Sequence, residues 1–99
     1  EPFGPLCPML SFKTFDEVIE RANNHELGLA SYICTNSMEQ AHKASEQIET
    51  GTVAVNTPLV AIAEAPFGGI KQTGYGREGG SMAIKDYLNV KYTHLGIKG

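Results

Sequence analysis

The sequence predicts an α/β fold in which helices cover a layer of parallel strands. Short apolar runs rich in β-forming residues alternate with segments of helical periodicity, and two of these segments open on a capping signal. The predicted order over residues 8–56 is strand, helix, strand, helix, strand, which is typical of parallel strands joined by right-handed crossovers. With 99 residues, the chain forms one domain at most and buries a modest core.

The first strand and helix are predicted over residues 8–23. Residues 8–13 end in alternating apolar and polar positions, as in a strand. Thr14 and Glu17 then have the spacing of a capping box, with Thr14 accepting from the amide of Glu17 while Glu17 reaches back. One apolar stripe follows at positions i, i+3, i+4 and i+7: Phe15, Val18, Ile19 and Ala22. We expect this helix to end near Asn23.

The second helix lies between two further predicted strands. Residues 29–35 contain several β-formers and are predicted as a strand. Ser37 and Gln40 repeat the capping pattern, and Gly51 is expected to close the helix that they open. Residues 52–56 are β-branched and almost uncharged, which is typical of a strand covered on both faces.

The last third of the chain is predicted as a loop, a short helix and an edge strand. Residues 57–65 form the loop, and residues 81–87 are weakly amphipathic. Residues 88–95 alternate between two distinct faces, as in a strand at the edge of a sheet. Because edges expose unpaired backbone groups, we expect this strand to pair with another chain.

The charge balance and the apolar runs exclude several classes of partner. A net charge of −3 offers no basic face, so we expect no nucleic-acid partner. No apolar run approaches the length of a membrane span, and the first residues do not resemble a signal peptide. We therefore expect no membrane partner and a cytoplasmic location.

The spacing of the cysteines and histidines indicates neither a disulfide framework nor a metal site. Cys7 and Cys34 do not amount to a disulfide framework, and we expect two reduced, buried thiols rather than a bridge. The three histidines have no metal-ligand spacing among themselves or with the cysteines, so we predict no metal site.

Residues 66–80 form a glycine-rich segment that includes the pattern G-x-G-x-x-G from Gly74 to Gly79. A dinucleotide fingerprint needs a strand directly before it, a helix opening within it and an acidic residue about twenty positions later. Pro66 and two glycines precede the pattern, and the twentieth residue after Gly79 is Gly99. We therefore interpret the segment as a shaped loop that packs closely, and not as a phosphate site.

Residues 1–5 (EPFGP) resemble the E-x-F-G-P motif of the NAD(P)-dependent aldehyde dehydrogenase family. Further blocks resemble that family in the same order, and together they cover essentially the whole chain. The resemblance implies that the chain is a C-terminal fragment of an enzyme several times longer. The blocks are FDEVIERAN (residues 15–23), GLA (28–30), GTV with Asn56, PFGGIK (66–71), GYGRE (74–78), and Tyr87 before Lys91.

The resemblance implies two groups of site residues. Glu1 matches the glutamate that binds the nicotinamide ribose hydroxyls of NAD or NADP, and Phe3 matches the aromatic that packs beside the nicotinamide. The alternative is that Glu1 and Phe3 only shape a turn. Phe67 matches an aromatic that lines the aldehyde tunnel, and Ala61 and Ile62 belong to the loop at the tunnel mouth.

The resemblance also implies how the chain is divided and what it lacks. Residues 1–87 match the C-terminal part of the catalytic domain, and residues 88–99 match a tail that joins subunits into a homodimer or homotetramer. The catalytic cysteine and the general-base glutamate match no residue here, so we predict no catalytic residue and no activity of the fragment alone. The alternative is a stand-alone interaction module that kept this shape without the chemistry; the length of the natural reading frame distinguishes the two.

The pattern PFGGIKQTGYGREGG looks closest to the succinate-semialdehyde dehydrogenases and related semialdehyde enzymes. One position departs from that branch, because Ala61 stands where those enzymes have a serine that helps to hold the substrate carboxylate. A hydrogen bond to a charged group contributes about 1.5–3 kcal/mol, so this position bears on specificity.

Overall fold

The computed structural model describes residues 3–99, so Glu1 and Pro2 lie outside the described residues. Its helices and strands follow in the order α1 (Phe15–Asn23), β1 (Leu27–Gly28), β2 (Ala30–Ile33), α2 (Met38–Gln47), β3 (Thr52–Val55), β4 (Ile70–Lys71) and a 3₁₀ helix (Ala83–Tyr87).

Helix α1 begins at the predicted cap. The Thr14 hydroxyl accepts from the Glu17 amide at 3.2 Å, and the Glu17 carboxylate accepts from the Lys13 amide at 2.8 Å. The hydrogen bond from Lys13, aided by the nearby Arg21 guanidinium, lowers the pKa of Glu17. Because the pKa is lowered, the stabilisation is present above the ordinary glutamate range and is lost as the pH falls through the folded-state value.

The predicted parallel crossover is confirmed over residues 30–55. Strands β2 and β3 pair in parallel, from Ala30 with Thr52 to Ile33 with Val55, and α2 connects them. The Ser37 hydroxyl accepts from the Gln40 amide at 3.3 Å and caps α2, as predicted. Helix α2 ends at Gln47, before the predicted closing glycine.

The core formed by these elements is small. Among residues 3–99, the buried hydrophobic residues are Ala44 of α2 and Ala54 of β3. An open apolar groove of about 650 Å³ lies between α1, β2 and α2.

The strand predicted at residues 8–13 is not formed. These residues pair with no strand in the described part of the chain, and Met9 and Leu10 are exposed. Alternation alone cannot make a strand, because its backbone groups need a neighbouring strand. The predicted terminal helix is a short 3₁₀ helix, and residues 88–99 likewise find no pairing partner within residues 3–99.

A second, antiparallel pairing was not predicted. Leu27 of β1 pairs with Lys71 of β4, and Gly28 pairs with Ile70. The pairing attaches the glycine-rich segment to β1, the short strand that follows α1.

We expect Thr14→Ala to loosen α1. Loss of an N-cap hydroxyl costs about 1 kcal/mol, which corresponds to roughly fivefold faster exchange of the α1 amides if local opening controls exchange. Hydrogen exchange of the full-length protein measures this effect. Ser11→Ala is the matched control, because Ser11 is exposed and lies before the cap; equal exchange in the two variants would contradict the prediction.

Candidate functional site at the glycine-rich segment

The glycine-rich segment, residues 66–80, folds back so that its two ends pair. The Phe67 amide donates to the Glu78 carbonyl at 2.6 Å, and the Glu78 amide donates to the Phe67 carbonyl at 2.8 Å. Phe67 is half-buried. The backbone of this predicted substrate residue is therefore held on both sides, while its ring retains an accessible face.

Close contact between glycines sets the position of the segment. A Cβ atom at Gly51 would overlap the Gly68 carbonyl oxygen, and it would lie 2.9 Å from the Cα atom of Gly69. Gly69 is itself buried against Thr73, whose hydroxyl accepts from the Gly28 amide at 2.8 Å. The glycines act here as packing residues, as the sequence predicts.

The G-x-G-x-x-G pattern does not form a nucleotide turn. Gly74, Gly76 and Gly79 have φ values of 115°, 96° and 71°, and no α-helix opens at any of them. A phosphate-binding turn of this type depends on amides at a helix N-terminus.

The loop that carries Ala61 and Ile62 lies against the same segment. The Gly80 amide donates to the Ala63 carbonyl at 2.8 Å, and a Cβ atom at Gly79 would lie 3.4 Å from the Ile62 carbonyl oxygen. Gly79 directly follows Glu78, the partner of Phe67. The structure thus brings Ile62 to the segment that carries Phe67, and Ala61, the residue before Ile62, is exposed.

Arg77 and Asp86 belong to this site, although the sequence analysis assigned them no role. The Arg77 guanidinium donates to the carbonyls of Gly69 and Gly76 at 2.9 and 2.8 Å, and the Asp86 carboxylate accepts from the Arg77 amide at 2.9 Å. They line a cavity of about 340 Å³ that Phe67 also lines. Asp86 lies outside the glycine-rich segment, and all three hydrogen bonds of this pair involve a backbone group, so the sequence offers no signal that identifies them.

The predicted cofactor residues lie at the other end of the chain. Phe3 is 92% exposed, and a Cβ atom at Gly4, whose φ is +127°, would meet no atom within 4 Å. Phe3 does not line the cavity beside Phe67, and Glu1 lies outside residues 3–99.

Both cysteines are free and exposed, so the prediction that they are buried is wrong. The burial of a cysteine depends on elements that pack over it, and nothing in residues 3–99 covers Cys7 or Cys34.

In the described part of the chain, no group of three or more histidine, cysteine, aspartate or glutamate side chains could hold a metal ion. No helix there is long and apolar enough to cross a membrane.

The chain belongs to the aldehyde dehydrogenase family, whose model matches residues 1–93. It is 50% identical over 96 residues to 3-sulfolactaldehyde dehydrogenase from Pseudomonas putida, covering 97% of this chain and 20% of that protein. It is 43% identical over 97 residues to the NADP(+) succinate-semialdehyde dehydrogenase of Escherichia coli, covering 98% of this chain and 20% of that protein. The chain therefore spans about a fifth of the length of these relatives.

The solved structures agree on the fold. An aldehyde dehydrogenase from Bacillus cereus, in complex with NAD+, superposes with a TM-score of 0.90 at 44% identity. The match covers 97% of this chain and 20% of that one. The α/β arrangement described above is therefore part of the aldehyde dehydrogenase fold.

Proposed function

We propose that this chain is the C-terminal part of an NAD(P)-dependent dehydrogenase that oxidises a semialdehyde to the corresponding acid. The observation that carries the proposal is the contact of the loop at Ile62 with the glycine-rich segment that carries Phe67, in a chain of this family. The names of similar relatives support the substrate class. These relatives are named for 3-sulfolactaldehyde, glutarate semialdehyde and succinate semialdehyde, and each compound carries an anionic group besides the aldehyde.

Phe67, Ile62 and Ala61 form one wall of the proposed aldehyde site. Ile62 is 50% exposed and Phe67 is half-buried, so both present apolar surface that can exclude water from a bound aldehyde. Ala61 offers a methyl group and no hydrogen bond. We assign no catalytic role to any residue of this chain, so the nucleophile and the general base come from the rest of the polypeptide.

Glu1 and Phe3 are the proposed cofactor contacts. The Glu1 carboxylate can accept hydrogen bonds from two adjacent ribose hydroxyls, and the exposed Phe3 ring can pack beside the nicotinamide. When bound, NAD or NADP supplies the hydride acceptor. Phe3 keeps the ring oriented, and Glu1 keeps the ribose in place.

Residues 88–99 form the proposed oligomerisation tail of a homodimer or homotetramer, separate from the catalytic part in residues 1–87. Val90 is fully exposed and Tyr92 is 84% exposed, which supports pairing with a neighbouring subunit. A cytoplasmic location stays a prediction that cell fractionation can test, since one similar relative is a mitochondrial enzyme of Arabidopsis thaliana.

The turnover of an anionic and a neutral aldehyde by the full-length enzyme tests the proposed substrate class. We expect kcat/KM for succinate semialdehyde to exceed that for butanal by about tenfold or more, because a charged hydrogen bond contributes about 1.5–3 kcal/mol. A preference for butanal would contradict the semialdehyde proposal.

Ala61→Ser is the matched variant for this experiment. The added hydroxyl should lower KM for succinate semialdehyde about tenfold and leave KM for butanal unchanged, because butanal has no carboxylate to accept the bond. Equal changes for both aldehydes would place Ala61 outside the substrate site.

A further inference from the structure

Lys71 lies at a point where three parts of the chain meet. Its ammonium group donates to the carbonyl of Asn23 at 3.0 Å and to the carbonyl of His25 at 3.3 Å, and it pairs with the Glu49 carboxylate at 2.5 Å. A lysine ammonium has three N–H donors, so all three have an acceptor here. The side chain is 26% exposed, although the residue as a whole lies at the surface, so the contacts cover much of the side chain without burying it.

The acceptors of Lys71 are the ends of both helices. Asn23 is the last residue of α1, and Glu49 follows the cap of α2. The negative end of a helix dipole attracts a cation, which strengthens the contact at Asn23. The Asn23 side chain completes the junction, because its amide donates to the Gln47 carbonyl and its oxygen accepts from the Glu49 amide, both at 2.8 Å.

The backbone of Lys71 connects these contacts to the glycine-rich segment, of which Lys71 is a part. Lys71 has a φ of +56°, a left-handed conformation that costs about 1 kcal/mol for a residue with a Cβ atom and persists where its surroundings enforce it. It pairs with Leu27 in the β1–β4 ladder, and the next amide, that of Gln72, donates to the Glu26 carbonyl at 3.0 Å.

Only three residues separate Lys71 from Phe67, and two of them are glycines. Gly68 and Gly69 have no side chains with which to hold their own position. Lys71 on one side and the pairing of Phe67 with Glu78 on the other add to the hold that the close approach of Gly51 gives this segment.

We propose that Lys71 is a positioning residue for the aldehyde site: its ammonium ties the glycine-rich segment to the ends of α1 and α2 and thereby places Phe67 against the substrate. This inference rests on the proposed function. It assigns to Lys71 an effect on substrate affinity, although Lys71 itself does not contact the proposed substrate.

The test compares three variants of the full-length enzyme. Lys71→Met keeps the length of the side chain and removes the charge and all three donors. Lys71→Arg keeps the charge and can donate to the same carbonyls. Lys43→Met is the matched control, because Lys43 also pairs with a glutamate, Glu39 at 2.7 Å, but on the exposed face of α2.

We expect Lys71→Met to raise KM for the aldehyde about tenfold while kcat stays within about threefold, because a displaced wall weakens binding more than it changes the reacting groups. Lys71→Arg should restore most of the affinity, and Lys43→Met should behave as wild type. A Lys71→Met enzyme whose KM matches that of Lys43→Met would overturn the inference, as would a fall in kcat alone.

Hydrogen exchange of residues 67–73 separates this inference from the proposed function. If the wild-type enzyme oxidises no aldehyde, the proposed function is wrong. The hydrogen-exchange rates of residues 67–73 then test by themselves whether Lys71 holds the segment in place. Faster exchange of these amides in Lys71→Met than in Lys43→Met supports it, and equal exchange overturns it.

Discussion

Gly51→Ala is expected to lower the free energy of unfolding by about 4 kcal/mol or more, or to prevent folding altogether. The added Cβ atom would overlap the Gly68 carbonyl oxygen, and it would lie 2.8 Å from the Gly68 carbonyl carbon, closer than the 3.0 Å that real Cβ atoms keep. These are backbone atoms, so no side-chain rotation can relieve the overlap. The segment that carries Phe67 would have to move away from the end of α2.

Chemical denaturation of the full-length enzyme, followed by fluorescence and by residual activity, measures this effect. Gly96→Ala is the matched control, because a Cβ atom there would meet no atom within 4 Å. If the two variants unfold at the same denaturant concentration, the close approach of Gly51 to Gly68 does not exist in the enzyme.

The isolated 99-residue polypeptide is expected to self-associate and to show no NAD(P)-dependent aldehyde oxidation. Its accessible surface is 8601 Å², whereas a folded monomer of 10.7 kDa exposes about 5,500 Å². Its radius of gyration is 19.1 Å, against about 13 Å for a compact domain of this length. Much of the excess is apolar, including Phe3, Leu6, Met9, Leu10, Tyr75, Val90 and Ile97.

Sedimentation velocity over a range of concentrations tests the self-association. Apolar surface on this scale favours association by the hydrophobic effect, so the average mass should rise with concentration. A variant with Val90→Lys and Tyr92→Lys should shift the association to higher concentration if the tail takes part. A single monomeric species at every concentration would contradict the prediction, and robust turnover would contradict the assignment of catalysis to the rest of the enzyme.

The parts of the fold that the sequence predicts well are those determined by local signals. Thr14 and Ser37 cap helices through residues three positions away, and the apolar stripe of α1 has a period that the sequence displays directly. The parallel crossover follows, because a helix of this length between two strands leaves few other connections. Residues 8–13 show the opposite case, since their local alternation has no neighbouring strand to pair with.

The candidate site was predicted only in part. The resemblance proposes Phe67, Ala61 and Ile62 as substrate residues, and composition and spacing alone do not connect them. Lys71 and Arg77 were missed because their partners are mostly main-chain carbonyls, and every residue carries one of these. Because every residue has a main-chain carbonyl, the sequence does not show which carbonyl a side chain will contact. Such contacts are visible only in a structure.

The paired backbone of Phe67 and Glu78 has a consequence for engineering. The frame around Phe67 is made of main-chain hydrogen bonds and of contacts from Lys71 and Arg77, and the side chains of Phe67, Ile62 and Ala61 contribute no hydrogen bond to it. In the proposed aldehyde site, substrate selectivity and the stability of the frame are therefore carried by different atoms. A library that varies these three side chains and keeps the glycines should change substrate preference while leaving the scaffold intact.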